Sequence, residues 1–357
     1  MAKRHFLQQA HRHEDKHLIA GQYISEKLDG QRAFWDGGVT RGMNAVNIPW
    51  ANTEKDKKIR VATGLWSRYG KPIHAPGWWL DQLPTFPLDG ELWAGRGQFQ
   101  KTRSIVSKHS PIDAEWAQVQ YVVFDSPTLE SVLYDSIIDW PQYKKDITGS
   151  LAFISNLGVP TKHHDLATYN EVFLFMQENV PQLLGSLQVH EQIRLHNNTE
   201  QAVRMQSNML SQVLHLGGEG IVLRDPYAGY LPERCHTITK LKPYKSAEAM
   251  VTGYITGRQT DKGSKLRGLI GAIILNWNGK KFELSGFTQA ERLLTDLDSE
   301  ANGQQEAFDW AWNNPEVECP SNISAVHFPR GTYLTFKYRE LTDAGIPKEA
   351  SYFRKSI

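Results

Sequence analysis

Cysteine is nearly absent from this chain. The 357 residues hold only Cys235 and Cys319, far apart and without a Cys-x-x-Cys pair, which excludes a disulfide framework and a thiolate zinc site and fits a reducing compartment. Neither sign of charge is in excess: 40 Lys and Arg stand against 39 Asp and Glu, a net of +1. Any anionic partner must therefore be met by local patches rather than by a globally basic surface. No hydrophobic run is long enough to span a membrane. The first residues, Met1 to Ala20, carry Lys3, Arg4, His11, Arg12, His13 and Lys16 but no apolar signal-peptide core. The expectation is a soluble, cytoplasmic protein with no membrane partner. Internal repeats and low-complexity tracts are also missing. What is present is a 40% hydrophobic and 11% aromatic composition, enough to bury a sizeable core and to build two domains at this length.

The stretch Ser25-Glu26-Lys27-Leu28-Asp29-Gly30-Gln31-Arg32 lies where one alternating run, Tyr23 to Ser25, meets a second, Arg32 to Trp35, that stops at Asp36-Gly37-Gly38. It reads as a hairpin with a lysine at its bend. A lysine amine attacks phosphorus only when unprotonated and aligned, which requires desolvation or nearby cations and a rigid backbone. The same residues also fit an exposed turn with a solvated lysine.

Val39 to Leu65 follows, with the mixed run Glu54-Lys55-Asp56-Lys57-Lys58-Ile59-Arg60. It reads as a solvated loop, with contact to an anionic partner as the alternative. In Trp66 to Ile73, Arg68 and Lys71 flank Gly70 and could grip a phosphate, although a simple basic turn fits as well. Phe86 to Trp93 alternates as a strand that places Glu91 among apolar neighbours. A carboxylate there would hold a ribose hydroxyl or a metal-bound water, or else face solvent at a sheet edge. Gln98 to Ser110 carries Lys101, Arg103, Lys108 and His109, a modest basic surface. Val119 to Asp125 is a buried strand ending in Phe124, a base-stacking ring or a core residue. Thr199 to Leu216 is a helix with Val203, Leu210, Val213 and Leu214 on one face, stopped by Gly217-Gly218.

Glu219 then leads into the apolar strand Ile221 to Arg224, and Lys240-Leu241-Lys242 reads as a strand with both lysines on one face. Parallel ammonium groups repel each other unless a phosphate lies between them; an exposed strand face is the other reading. Around Pro243 to Glu248 the character changes, which divides the chain into 1–245 and 246–357. Strand candidates at Met250 to Ile255, Leu269 to Trp277, Phe282 to Phe287 and Thr332 to Tyr338, with one helix at Thr288 to Leu297, fit a small Greek-key barrel. Lys240, Lys242, Lys245, Arg258, Lys262, Lys265 and Arg267 face only Glu248 and Asp261 in that neighbourhood, a patch suited to a phosphate backbone.

In this order, a lysine turn, an Arg-Gly turn, an Asp-Gly-Glu strand, a Phe-ending strand, a Glu-Gly strand and a Lys-x-Lys strand resemble the covalent nucleotidyltransferases. Within them the chain is similar to the minimal bacterial and phage ATP-dependent DNA ligases from Tyr23 to Arg354, notably in Ser25 to Trp35, Ser67 to Trp79, Pro87 to Ser104 and Gly217 to Arg224. The resemblance implies an α+β fold, with a nucleotidyltransferase (adenylation) domain of antiparallel sheets and helices followed by a C-terminal OB-fold β-barrel. It implies sealing of 5′-phosphate/3′-hydroxyl nicks in duplex DNA by a monomer, using ATP as covalent AMP on Lys27, and Mg²⁺ with Mn²⁺ as substitute. Asp29 would act after self-adenylylation, while Lys240 and Lys242 would neutralise charge on the phosphates. Arg32, Arg68, Glu91, Phe124 and Glu219 would complete the nucleotide site, with Glu91 and Glu219 near the metal. DNA contacts would come from Arg32, Arg68, Lys71, Lys101, Arg103, Arg258, Lys265 and Arg267.

Two features depart from the family pattern. The insertion Val39 to Leu65 offers Thr40-Arg41-Gly42 as a rival to Ser67-Arg68-Tyr69-Gly70. The Arg-x-Asp-Lys ending is also missing, which leaves Lys348, Arg354 or Lys355 to orient pyrophosphate. The charge run yields a first expected outcome. Neutralising Lys55, Lys57, Lys58 and Arg60 weakens retention of nicked DNA in a filter-binding titration and leaves self-adenylylation unchanged.

Overall fold

The computed structural model describes residues 6–14, 16–45, 48–52, 61–133, 164–181, 186–259, 265–342 and 344–353. The charge run 54–60, Asp261, Lys262, Arg354 and Lys355 lie outside the described residues. The chain divides into two units, Met1–Leu241 and Lys242–Ile357.

In the first unit the alternating runs become β1 (Gln9–Arg12), β2 (Tyr23–Glu26), β3 (Gln31–Asp36), β4 (Leu65–Ser67), β5 (Pro87–Trp93), β6 (Gln120–Asp125), β7 (Leu187–Val189), β8 (Ile193–Arg194), β9 (Ile221–Arg224) and β10 (Arg234–Leu241). They form two five-stranded sheets, ordered β1-β10-β9-β2-β8 and β4-β3-β5-β6-β7. The expected hairpin around Lys27 is therefore not one. β2 pairs with β9 and β8, whereas β3 pairs with β4 and β5, so residues 27–30 cross from one sheet to the other. The Lys27 amide donates to the Gly220 carbonyl at 2.8 Å, which carries the β2–β9 pairing past the strand end. Gly30 makes the crossing possible, because a Cβ there would run into the Leu92 carbonyl and come within 2.8 Å of Glu91 Cγ.

One face of the second sheet, with Ala33, Trp35, Leu88, Leu92, Tyr121 and Val123, packs on Trp79, Trp116, Phe173 and Met176, as a period of two requires. The Val39 to Leu65 segment is more than a solvated loop. Its residues Ala45, Ile48, Trp50 and Ala62 are buried with Phe6, Phe34 and Trp66. Trp50 lies nearly parallel to Phe6 at 6.4 Å and edge-on to Phe34 and Trp66 at 6.1 and 6.0 Å. The first sheet packs Ile24, Ile221 and Leu223 on the helix Thr199–His215. Of the face expected to turn inward, Val213 is buried and Leu210 packs against the core. Ala202, Gln206 and Val213 are buried, while Val203 and Leu214 are exposed, because the seam runs through 202, 206, 209 and 213 at helical spacing. Gly217 ends it in the left-handed region at φ +78.

The second unit contains β11 (Lys245–Thr256), β12 (Ile270–Trp277), β13 (Lys280–Leu284), β14 (Leu294–Asp296), β15 (Ile323–Ala325), β16 (Tyr333–Tyr338), β17 (Glu340–Leu341), β18 (Pro347–Lys348) and β19 (Ser351–Tyr352). Its main sheet runs β13-β12-β11-β16-β19, with β14-β15 and β17-β18 as separate ribbons. Asn278 and Gly279, at φ 51 and 77, form the tight turn between β12 and β13. Among the described residues a single bridge, Ser285 to Ser351, joins the two ends of the main sheet. The architecture is thus OB-like, a five-stranded sheet whose two edges meet at that bridge.

Thr288 to Leu297 is not a helix. It is a 3₁₀ turn, Ala290–Arg292, followed by β14, because buried Arg292 is tied to the Gly271 carbonyl at 2.9 Å. The unit's helix is Gly303–Asn313, hidden in the sequence because its buried residues are Ala307 and Ala311. No helix among the described residues is long and apolar enough to cross a membrane.

Because Trp50 is core, Trp50→Ala should destabilise the chain by about 3–5 kcal/mol. Urea unfolding followed by fluorescence measures this; a change below about 0.5 kcal/mol would match a solvated loop instead.

Candidate active site

Three neighbouring strands bring the candidate residues onto one side of the second sheet. Arg32 on β3 is the direct partner of Glu91 on β5, and Glu91 is the partner of Val122 on β6. Alternation places Asp89 with Glu91, and Phe124 with Val122, on that side. The Arg32 guanidinium meets the Asp89 carboxylate with two bonds of 2.6 Å, Nε to Oδ1 and Nη2 to Oδ2. Asp89 is fully buried and also accepts the Tyr230 hydroxyl at 3.0 Å. So held, Arg32 sits 4.7 Å over the Phe124 ring.

Lys27 enters from the other sheet. Its Nζ pairs with Glu219, the residue two before β9, and reaches the Leu28 carbonyl at 3.4 Å. Asp29, partly buried, lies on the same crossing. Burial pushes the Glu91 carboxyl up to about 7 from an ordinary 4.5, against the pull of Lys27, Arg32 and Arg68 in that order. Three cations thus act on Glu91, of which Arg32 is its direct partner across the strands.

Arg68 is exposed and donates to the Tyr69 hydroxyl at 2.6 Å. Its turn depends on Gly70, at φ +72, where a Cβ would strike the Trp50 carbonyl. The rival Arg41 is engaged elsewhere, with Asp81 at 2.5 Å. Lys240 lies on β10 opposite Val222 of β9. Lys242 does not share its strand, since β10 ends at Leu241. Lys242 is the first residue of the second unit, and its carbonyl accepts Arg339 Nη1 at 2.6 Å.

Among the expected DNA contacts, Lys71, Lys101, Arg103 and Lys265 are exposed. Arg258 pairs with Glu316 at 3.1 Å. Arg267 is partly buried, 4.5 Å over Trp312 and bonded to its carbonyl at 2.8 Å. Sequence reasoning missed Asp89, Tyr230, His190 and Arg96. Asp89 carried a signal, an acid two residues before Glu91 in an apolar strand, and Arg96 lies in the Pro87 to Ser104 stretch that carries the resemblance; Tyr230 and His190 carried none.

Among the described residues no three His, Cys, Asp or Glu side chains converge as a ready metal cage.

A family model described as the DNA ligase OB-like domain matches residues 263–355. A DNA ligase of Haemophilus influenzae is 25% identical over 338 residues, which cover 94% of this chain and 87% of that protein. A solved structure from a study of DNA binding with a minimal scaffold in Lig E DNA ligases superposes with a TM-score of 0.58, at 25% identity over 98% of both chains. The chain closely resembles minimal ATP-dependent DNA ligases. A further structure, Pmar-Lig, shares the fold at a TM-score of 0.56 and 16% identity, over 98% of this chain and 67% of its own.

Glu91, partly buried on β5, sets a stability test. Its folded value, about 7, lies above its ordinary 4.5. In the metal-free protein the folded state therefore binds more protons than the unfolded state across that window, and stability falls as pH rises through it. Glu91→Gln should flatten this fall. Urea midpoints of the native and variant chains at several pH values measure the difference; parallel curves would contradict it.

Proposed function

We propose that the chain is an ATP-dependent DNA ligase that seals nicks through a lysine–AMP and then a 5′-adenylated DNA intermediate. The observation that carries this reading is Lys27 paired with Glu219 at a crossing between two sheets, with Glu91, Arg32 and Arg68 around it. A lysine so framed is held for one direction of attack.

In the first step Lys27 Nζ loses a proton, for which Glu219 is the adjacent acceptor, and attacks the α-phosphorus of ATP. The N–P bond forms, the bond to pyrophosphate breaks, and Lys240 balances the charge that moves onto the phosphates. Phe124, only partly buried, supplies a ring for adenine. Arg32 holds that ring from one side and is itself fixed by Asp89. In the second step an oxygen of the nick 5′-phosphate attacks the AMP phosphorus, and Lys27 leaves, regaining a proton. In the third the 3′-hydroxyl attacks the activated 5′-phosphate and AMP leaves; Asp29 serves these last two steps.

Glu91 and Glu219 offer the hard carboxylate oxygens that Mg²⁺ takes. The surrounding cations do not restore Glu91 to its ordinary range, which fits a carboxyl that gains from a divalent ion. Bound there, Mg²⁺ or Mn²⁺ would neutralise phosphate charge. Exposed Lys71, Lys101, Arg103 and Lys265 would meet DNA phosphates.

Two outcomes test this reading. With α-phosphate-labelled ATP the native chain should take up acid-labile label and release it when nicked duplex DNA is sealed, whereas Lys27→Ala takes up none. Discharge only by RNA ends would move the reading to an RNA ligase; absence of label after treatment with pyrophosphate would refute lysine adenylylation. Affinity for the nick should also fall steeply with salt, by about an order of magnitude or more between low and moderate ionic strength. A flat binding isotherm series would count against phosphate-led binding.

A further inference from the structure

The residue before Lys27 is gripped twice from the second sheet. The Glu26 carboxylate takes two hydrogen bonds from Arg96, Nε to Oε1 at 2.8 Å and Nη2 to Oε2 at 2.6 Å. The Glu26 carbonyl oxygen accepts a third from His190 Nε2 at 2.8 Å. A carbonyl oxygen can only accept, so Nε2 is the nitrogen that carries a proton here, and burial lowers the imidazole below its ordinary range.

Both grips are anchored in the other sheet. Arg96 stands between Gly95 and Gly97, in the left-handed region at φ +111 and +70, in the bend that follows β5. His190 follows β7, and its amide donates to the Val123 carbonyl of β6 at 2.7 Å. Glu26 is also closely packed, since a Cβ on Gly218 would lie 2.7 Å from its Oε1.

An ion pair this exposed, with the Arg96 side chain 36% accessible, contributes little to stability, typically about 0–1 kcal/mol. A bidentate fork, however, fixes both the position and the orientation of the group it holds. The group held here adjoins the nucleophile, and a displacement of about 1 Å at a reacting atom costs about 10²-fold in rate.

We propose that Arg96 and His190 are positioning residues that act through Glu26 to aim Lys27 in the adenylylation step. This rests on the ligase reading above. The two residues hold the strand end from the sheet that carries Glu91 and Arg32, so the nucleophile is registered against the groups that surround it.

The test uses the full chain and separates the chemical steps. Arg96→Ala should lower the rate constant for lysine labelling at saturating ATP by about 10²-fold, with the half-saturating ATP concentration unchanged. Sealing of a nick already carrying AMP on its 5′-phosphate does not use Lys27 as nucleophile and should stay near native. Arg96→Lys should restore part of the labelling rate, and His190→Ala should slow the same step with little change in melting temperature. Labelling at the native rate in Arg96→Ala would overturn the proposal. So would a parallel loss of labelling, pre-adenylated sealing and melting temperature, which marks general unfolding. Absence of label on the native chain would overturn the ligase reading along with it.

Discussion

The first unit depends on one crossing of the backbone between two sheets. At residues 27–30 the chain leaves β2 while its amide is still paired to Gly220, and enters β3 where only a glycine clears the Leu92 carbonyl. A hairpin would have left Lys27 on an outer bend, free to sample many rotamers in water. The crossing instead pairs it with Glu219 beside the first sheet and brings its charge to bear on Glu91 of the second. Its geometry and its electrostatics thus have a common origin.

Around that point, charge is arranged in tiers that differ in how firmly they are held. Asp89 is fully buried and bidentately paired with Arg32, so breaking it would strand a charge in the interior at a cost of several kcal/mol. Glu91 is surrounded by cations yet still raised by burial, which leaves it able to respond to a ligand. Arg68 is exposed and donates to the Tyr69 hydroxyl. The sequence of rigid, responsive and exposed groups suits a site that must hold its frame while phosphates pass through it.

Much of this was legible in the residues themselves, but not all of it. Glu91 announced its strand by alternation and Phe124 by the apolar run before it, and Gly217-Gly218 marked the end of the helix before Glu219. Which strands pair is a different matter, because period-two patterning gives a strand its faces and not its neighbours; hence Lys27 looked like a hairpin residue. Trp50 was masked by the charged run beside it, although a lone tryptophan in a polar insertion is a core signal. The helix Gly303–Asn313 buries two alanines, too small to stand out in a hydrophobic pattern. Arg96 and His190 act through a glutamate that neither adjoins in sequence, a relation that only three-dimensional proximity reveals.

The edge of the first sheet has a bearing on how the protein is made. β1 lies parallel to β10, and the side chains of Gln9 and Arg234 that meet there are 225 residues apart. During synthesis at about 5–20 residues per second, β1 waits on the order of ten seconds or more for its partner. Until then an early strand edge is open to other chains, a period in which chaperone cover has the most to protect. The strand that ends the wait also brings Lys240. Completion of the sheet and arrival of Lys240 are thereby a single event on the ribosome, so a chain released too early would lack both.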